Sequence, residues 1–264
     1  MKNQGKTNMG YSALRDLIMA GVKWELSDTP LVRSGVTNKQ IAPQAQTTTN
    51  NGDNVRTSTC VVPPIAPVSP MSVETANAMA VRPNDIYALN RMIAEFNHPL
   101  RSVATNVVSM HIAQNPNGLV IVTDIPSADD DACGQILTGA NGELMDKMLA
   151  AINMSRDCVS IIPMLFWRTP GGRTPSEQEL ELARPFFNRA LELLKPRAIL
   201  TLGTMPAAAL ANINLGRSHG VPVTLESGTV VMPIFHPNYL ILKPAAKRDV
   251  WNALQNIENI LKSA

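Results

Sequence analysis

The chain has 264 residues, of which 45% are hydrophobic, 4% aromatic and 17% charged, with a formal net charge of +2. That suits one sizeable α/β core plus an appendage, or two small domains. Three cysteines, Cys60, Cys133 and Cys158, are odd in number and widely spaced, which excludes a disulfide framework and a CxxC metal site and fits a reducing, cytoplasmic setting.

The N-terminal residues have no continuous apolar run of signal-peptide type, because Arg15 and Asp16 interrupt it. Nowhere does the chain hold about 18 consecutive apolar residues, so no membrane contact through a spanning helix is expected. Residues 9–23 have helical spacing, with Leu14, Leu17, Ile18 and Val22 on one face. Residues 34–70 are rich in Thr, Asn, Gln, Ser and Pro without periodicity and read as a flexible linker. Three parts are therefore expected: a helical leader over 1–33, the linker over 34–70, and an α/β domain over 71–264. The leader offers a docking element for the main domain or for a protein partner.

Residues 72–97 read as helix interrupted near Pro83. Beyond them strands and helices alternate. GLVIVTD (118–124), DCVSIIPML (157–165), RAILTLG (197–203) and TVVMPIF (229–235) are short apolar runs of buried-strand type. Between and after them lie helical segments at 142–154, 176–195, 205–213 and 248–263. The third of the strands is followed by a helix with proline near its first turn, and the helix at 176 starts on Thr-Pro-Ser with Glu177 and Glu179 in the first turn. Such alternation predicts a mostly parallel sheet with helices on both faces, and ligands bind beyond the carboxyl ends of such strands.

Three strand ends carry chemistry. Asp124 closes the first strand before Pro126 turns the chain; a carboxylate there orients a water or stabilises a cation, or it merely caps a turn. The Asp129-Asp130-Asp131 run that follows reads as a solvated loop, since no calcium-type ligand spacing continues it. After the second strand, FWRTPGGRTP (166–175) sets two glycines between Arg168 and Arg173. Either a backbone phosphate can approach Gly171 closely there, or the segment is a plain turn with exposed arginines. After the fourth strand comes HPNYLILKP (236–244), read as a loop. His236 can donate to a developing anion or be structural, and Tyr239 and Leu240 form an apolar tip able to wedge into a base stack. Lys243, Lys247 and Arg248 follow. From Arg168 onward 11 Lys and Arg stand against 7 Asp and Glu, whereas 101–167 carry 3 against 7. A basic C-terminal half suits a polyanion, and a mixed solvated surface is its plain alternative.

The segments TDIPSADDD, GQILTGANGELMDKMLAAI, WRTPGGRTPSEQELELARPF, LKPRAILTLG and HPNYLILKPAAKRDVW, in that order, resemble family 4 of the uracil-DNA glycosylase superfamily from about residue 100 onward. The N-terminal LRDLIMAGVKWELSDTP is similar to the leader of alphaproteobacterial members. This resemblance implies a three-layer α/β/α fold with a central four-stranded parallel sheet. It implies a monomeric enzyme that binds DNA, flips uracil out of the stack and hydrolyses its glycosidic bond. His236 matches the histidine that stabilises the departing base, and Asp124 the glutamate of a Gly-Glu-Ala-Pro-Gly motif, here Thr-Asp-Ile-Pro-Ser. Ile125, Pro126, Leu137 and Pro163 fall on the base pocket, with Leu137 where the family carries phenylalanine and Pro163 where it carries asparagine. Arg168, Gly171, Arg173, Asn238, Tyr239, Leu240 and Lys243 fall on the DNA-facing loops. The family's iron–sulfur cysteines are not found: Trp167 and Ala183 occupy two of their positions, so no cofactor is expected. The altered pocket also allows a second outcome, a glycosylase fold kept for binding DNA or a partner without base excision.

Overall fold

The computed structural model describes residues 72–263, so the leader and linker expected over 1–33 and 34–70 lie outside the described residues. Its centre is a sheet in the order β2-β1-β3-β5-β4. β1 is Leu119–Thr123, β2 Ser160–Pro163, β3 Ala198–Leu202, β4 Val223–Thr224 and β5 Val230–Ile234. The four strands anticipated from sequence run parallel. The fifth is an addition: β4 pairs antiparallel with β5 through two residues, too short to show a period in the sequence.

Both faces are covered, and the strands show why. Leu119 and Ile121 of β1, Ala198, Leu200 and Leu202 of β3, and Met232 and Ile234 of β5 point into one core. Val120, Val122, Ile199 and Val231 point into the other. Alternate residues on a strand face opposite ways, so apolar character at every position requires two helical layers. α4 (Gly139–Ala150), α8 (Pro237–Leu242) and α9 (Lys247–Ser263) close the first core. α9 buries the expected stripe of Val250, Leu254, Ile257 and Leu261. α1 (Val73–Ala80), α2 (Ile86–Glu95), α5 (Glu177–Leu194) and α6 (Thr204–Ala211) close the second. α1 and α2 are the two pieces expected around Pro83, and the side chain of Asp85 accepts from the Ala88 amide to start the second. α7 (Leu215–Ser218) is a single turn before β4.

Two local expectations are corrected. The Asp129–Asp131 run is no solvated loop but the core of α3 (Ala128–Cys133), in which Asp130 and Asp131 are buried. Asp130 and Ser127 form a reciprocal capping box, and Asp130 Oδ1 also accepts from the amide and hydroxyl of Thr138. Asp131 accepts from the amides of Thr105 and Asn106. These carboxylates staple the chain around the β1 end, because a buried carboxylate is tolerated only when donors surround it. Likewise HPNYLIL is helix rather than loop. His236 is the N-cap of α8, Pro237 sits at its first position, and the spacing turns Leu240 inward.

Register aligns the strand ends. Thr123 lies opposite Pro163 on β2 and Leu202 on β3, and Leu202 opposite Ile234 on β5. The chain leaves β1 to one side for β2 and returns to its other side for β3. The crevice of such a fold opens at that reversal, beyond the strand ends. No described helix is long and apolar enough to cross a membrane.

Candidate active site

Beyond β1, β3 and β5 stand Asp124, Gly203 and His236. The α8 cap fixes the histidine: its Nδ1 accepts from the Asn238 amide at 3.1 Å. A neutral imidazole with Nδ1 accepting carries its proton on Nε2. That nitrogen faces Thr123 Oγ1 at 3.3 Å and Asp124 Oδ1 at 3.8 Å. Thr123 in turn donates to Asp124 Oδ1 at 3.5 Å. The side chains of His236 and Asp124 are 19% and 31% exposed, enough for a ligand to reach both.

Burial dominates the electrostatics of the pair. It pushes the Asp124 carboxyl above the usual aspartate range, against the opposing pull of His236 and of hydrogen bonds from the Ile125 and Asp124 amides and Thr123. It pushes the His236 imidazole below its usual value, opposed by the charges of Asp124 and Asp130. Desolvation disfavours the charged form of each group. The histidine is thus a neutral Nε2–H donor near neutral pH.

Sequence reasoning names three strand ends and omits that of β3, where Gly203 belongs. Its backbone has φ 99°, a region closed to residues with a Cβ, and a Cβ there would stand 3.5 Å from Asp124 Oδ2 and 3.7 Å from the His236 Cβ. The signal was present as LTLGTMP, a lone glycine between an apolar strand and a helix start. Thr123 was missed as well, since a hydroxyl ending an apolar run reads as β-propensity.

The other expected residues separate into groups. Pro163 is buried beside Thr123 in register, Pro126 is buried, and Ile125 is half-buried against the α5-side core. Leu137 is a core side chain, 2% exposed, with a left-handed backbone (φ 52°). The Leu137 carbonyl accepts from Arg156 Nη2. Leu240, expected at the apolar tip, is 1% exposed in the same core, so it cannot reach a base stack from here. The exposed apolar side chains of α8 are Ile241 and Leu242, the latter 73% exposed. Asn238 is exposed, Tyr239 packs on Phe235, and Lys243 Nζ lies 5.1 Å from the Tyr239 ring centroid. In the 166–175 loop Gly171 and Gly172 are both left-handed, and no salt bridge engages Arg168 among the described residues. Arg173 is not free for a phosphate. It binds both oxygens of Glu179, at 2.6 and 2.9 Å, and Glu179 closes the α5 capping box with Ser176.

The two positions the resemblance gives to cluster cysteines do not fit an iron–sulfur centre. Trp167 and Ala183 are fully buried and bear no thiolate. Trp167 stacks on His98 with ring centroids 4.3 Å apart and planes 3° from parallel, and Phe96 leans on both Trp167 and Phe186. Such clusters take four ligands, commonly thiolates, and the whole chain has three cysteines. Among the described residues no group of three His, Cys, Asp or Glu is placed to hold a metal ion. An aromatic plug fills this position instead.

Comparison with known proteins bears on the same region. The profile of the Uracil DNA glycosylase superfamily matches residues 111–255, from the segment before β1 into α9. The type-4 uracil-DNA glycosylase of Pyrobaculum aerophilum is 30% identical over 145 residues, 49% of this chain and 71% of that protein. Those of Archaeoglobus fulgidus and Thermotoga maritima are 29% identical over 140 residues and 27% over 146, covering 70% and 76% of their lengths. The matched span holds the whole sheet, α3 with its capping box, and both members of the Asp124–His236 pair. The chain therefore belongs to the uracil DNA glycosylase superfamily.

Proposed function

We propose that the chain is a DNA glycosylase that flips a deaminated base, uracil in the first instance, out of DNA and hydrolyses its N-glycosidic bond. The observation that carries this reading is the Nε2–H of a neutral histidine beside a carboxylate at the open ends of β1 and β5. As the bond breaks, the base departs as an anion and the sugar becomes cation-like. His236 donates Nε2–H to the anion, a preorganised interaction stronger in the transition state than in the ground state. The Asp124 carboxylate faces the cation or orients the attacking water. A neutral histidine suits this task, since its hydrogen bond stabilises a forming negative charge without transferring a proton.

Extruding the base costs a few kcal/mol, offset in part by side chains that fill the vacated stack. Leu242 and Ile241 take that role in place of the buried Leu240, with Lys243, Lys247 and Arg248, all exposed, contacting phosphates nearby. Pro163 brings no side-chain amide to read the base edge, so hypoxanthine is compared with uracil as substrate.

The test is incubation of the full-length protein with a single-stranded oligonucleotide carrying one uracil, followed by alkaline cleavage of abasic sites. Release that falls by about 100-fold or more in His236→Ala is expected. Release by the wild type that survives unchanged in the variant would sink the assigned role. No release from uracil or hypoxanthine would favour a fold retained for binding.

A further inference from the structure

We propose that Thr123 is a positioning residue of this site, its hydroxyl linking the imidazole of His236 to the carboxylate of Asp124. The inference rests on the glycosylase reading for its kinetic consequence but not for its geometry. Thr123 ends β1 with 1% exposure, flanked in register by Pro163 and Leu202, so its hydroxyl is shielded from solvent. A buried hydroxyl left unpaired is unfavourable, and this one has two partners among the described residues: His236 Nε2 at 3.3 Å and Asp124 Oδ1 at 3.5 Å. The direct separation of Nε2 and Oδ1, 3.8 Å, is too long for a hydrogen bond.

The donor order is determined. His236 Nδ1 is occupied by the Asn238 amide, so Nε2 is the donor and the threonine oxygen accepts. The hydroxyl proton is then free to point at the carboxylate. A hydroxyl both accepts and donates, and it carries no charge of its own. It therefore favours the ionised carboxylate and the neutral imidazole together, whereas a direct ion pair would protonate the imidazole and cost it its role as a neutral donor. The charged groups facing the pair are each other and Asp130 of α3. Thr123 favours the ionised form of Asp124 against the effect of burial. When base arrives, Nε2–H turns to it while the hydroxyl keeps its bond to Asp124.

Thr123→Val keeps the shape and removes the hydroxyl; Thr123→Ser keeps the hydroxyl. Two readouts apply to the full-length protein. The Asp124 side-chain carbon, followed by NMR without DNA, should titrate at higher pH in the valine variant and stay near wild type in the serine variant. The acid limb of uracil release should move the same way, with kcat at pH 7 down about 10-fold and KM unchanged in Thr123→Val. An unmoved titration in Thr123→Val, or an equal shift in Thr123→Ser, overturns the proposal. If the wild type releases no base, the functional reading fails while the titration still decides the role of Thr123.

Discussion

Asp124 is held where its own charge is unfavourable, and that has a measurable signature. Its folded pKa is raised by burial, so its contribution to stability is fully present below the unfolded value and is lost as pH rises through the folded one. At neutral pH the ionised carboxylate therefore weakens the fold it serves. Asp124→Asn should melt at a higher temperature than wild type at pH 7 while base release falls by about 100-fold or more, read by calorimetry and by alkaline cleavage. A variant that melts lower would contradict the burial argument. His236 has the opposite sign: its folded pKa is lowered, so its contribution is present above the unfolded value near 6.5 and is lost as pH falls through the folded one. Both groups thus predict that activity fails on the acid side, Asp124 by neutralising and His236 by charging.

Among the elements, α5 shows how a cap decides the fate of a nearby loop. Glu179 is held down to about 2 by the Arg173 guanidinium and by Ser176. Its ion pair with Arg173 is half-exposed on the arginine side, so solvent screens it. Glu179→Gln should cost about 1–2 kcal/mol at pH 7 in a denaturant titration. Because the folded pKa is depressed from 4.5, the stability is present above that value and disappears as pH falls toward 2, where variant and wild type should converge. The sequence made α5 and its start legible because Thr-Pro-Ser with early glutamates is a local signal. It concealed the tie from Arg173 to Glu179, whose segment read as either a phosphate loop or a plain turn with exposed arginines, since pairing across a turn is not written in spacing. Strands β1, β2, β3 and β5 were legible from continuous apolar runs, but β4 was not, being two residues long. Leu240 shows the same limit. An apolar PNYLIL reads as an exposed tip until one knows it winds into a helix that turns every third or fourth residue back to the core. Asp124 and His236 were legible because strand ends in parallel sheets are where chemistry collects, while Thr123 and Gly203 acquire meaning only from what stands opposite them.

The whole molecule separates the parts that hold it together from those that the proposed function sets against DNA. Leu240→Ala should destabilise the protein by about 2–5 kcal/mol, as core truncations do. Leu242→Ala, at an exposed position, should leave the melting temperature unchanged and reduce uracil release from double-stranded more than from single-stranded oligonucleotides. Equal loss on both substrates would remove Leu242 from the gap left by the base. The aromatic plug of Phe96, His98, Trp167 and Phe186 belongs to the first class, packed in the core beneath α5. Finally, the order β2-β1-β3-β5-β4 has a temporal side. Asp124 and His236 are 112 positions apart, from 124 to 236, and the histidine arrives on a strand that pairs only with β3 and β4. During synthesis the carboxylate emerges long before its partner, and no sheet lacking β5 brings the two together. On the proposed glycosylase reading, a growing chain has no assembled Asp124–His236 pair until β5 has docked, so the onset of base release in a refolding experiment should time that docking event rather than the collapse of the sheet.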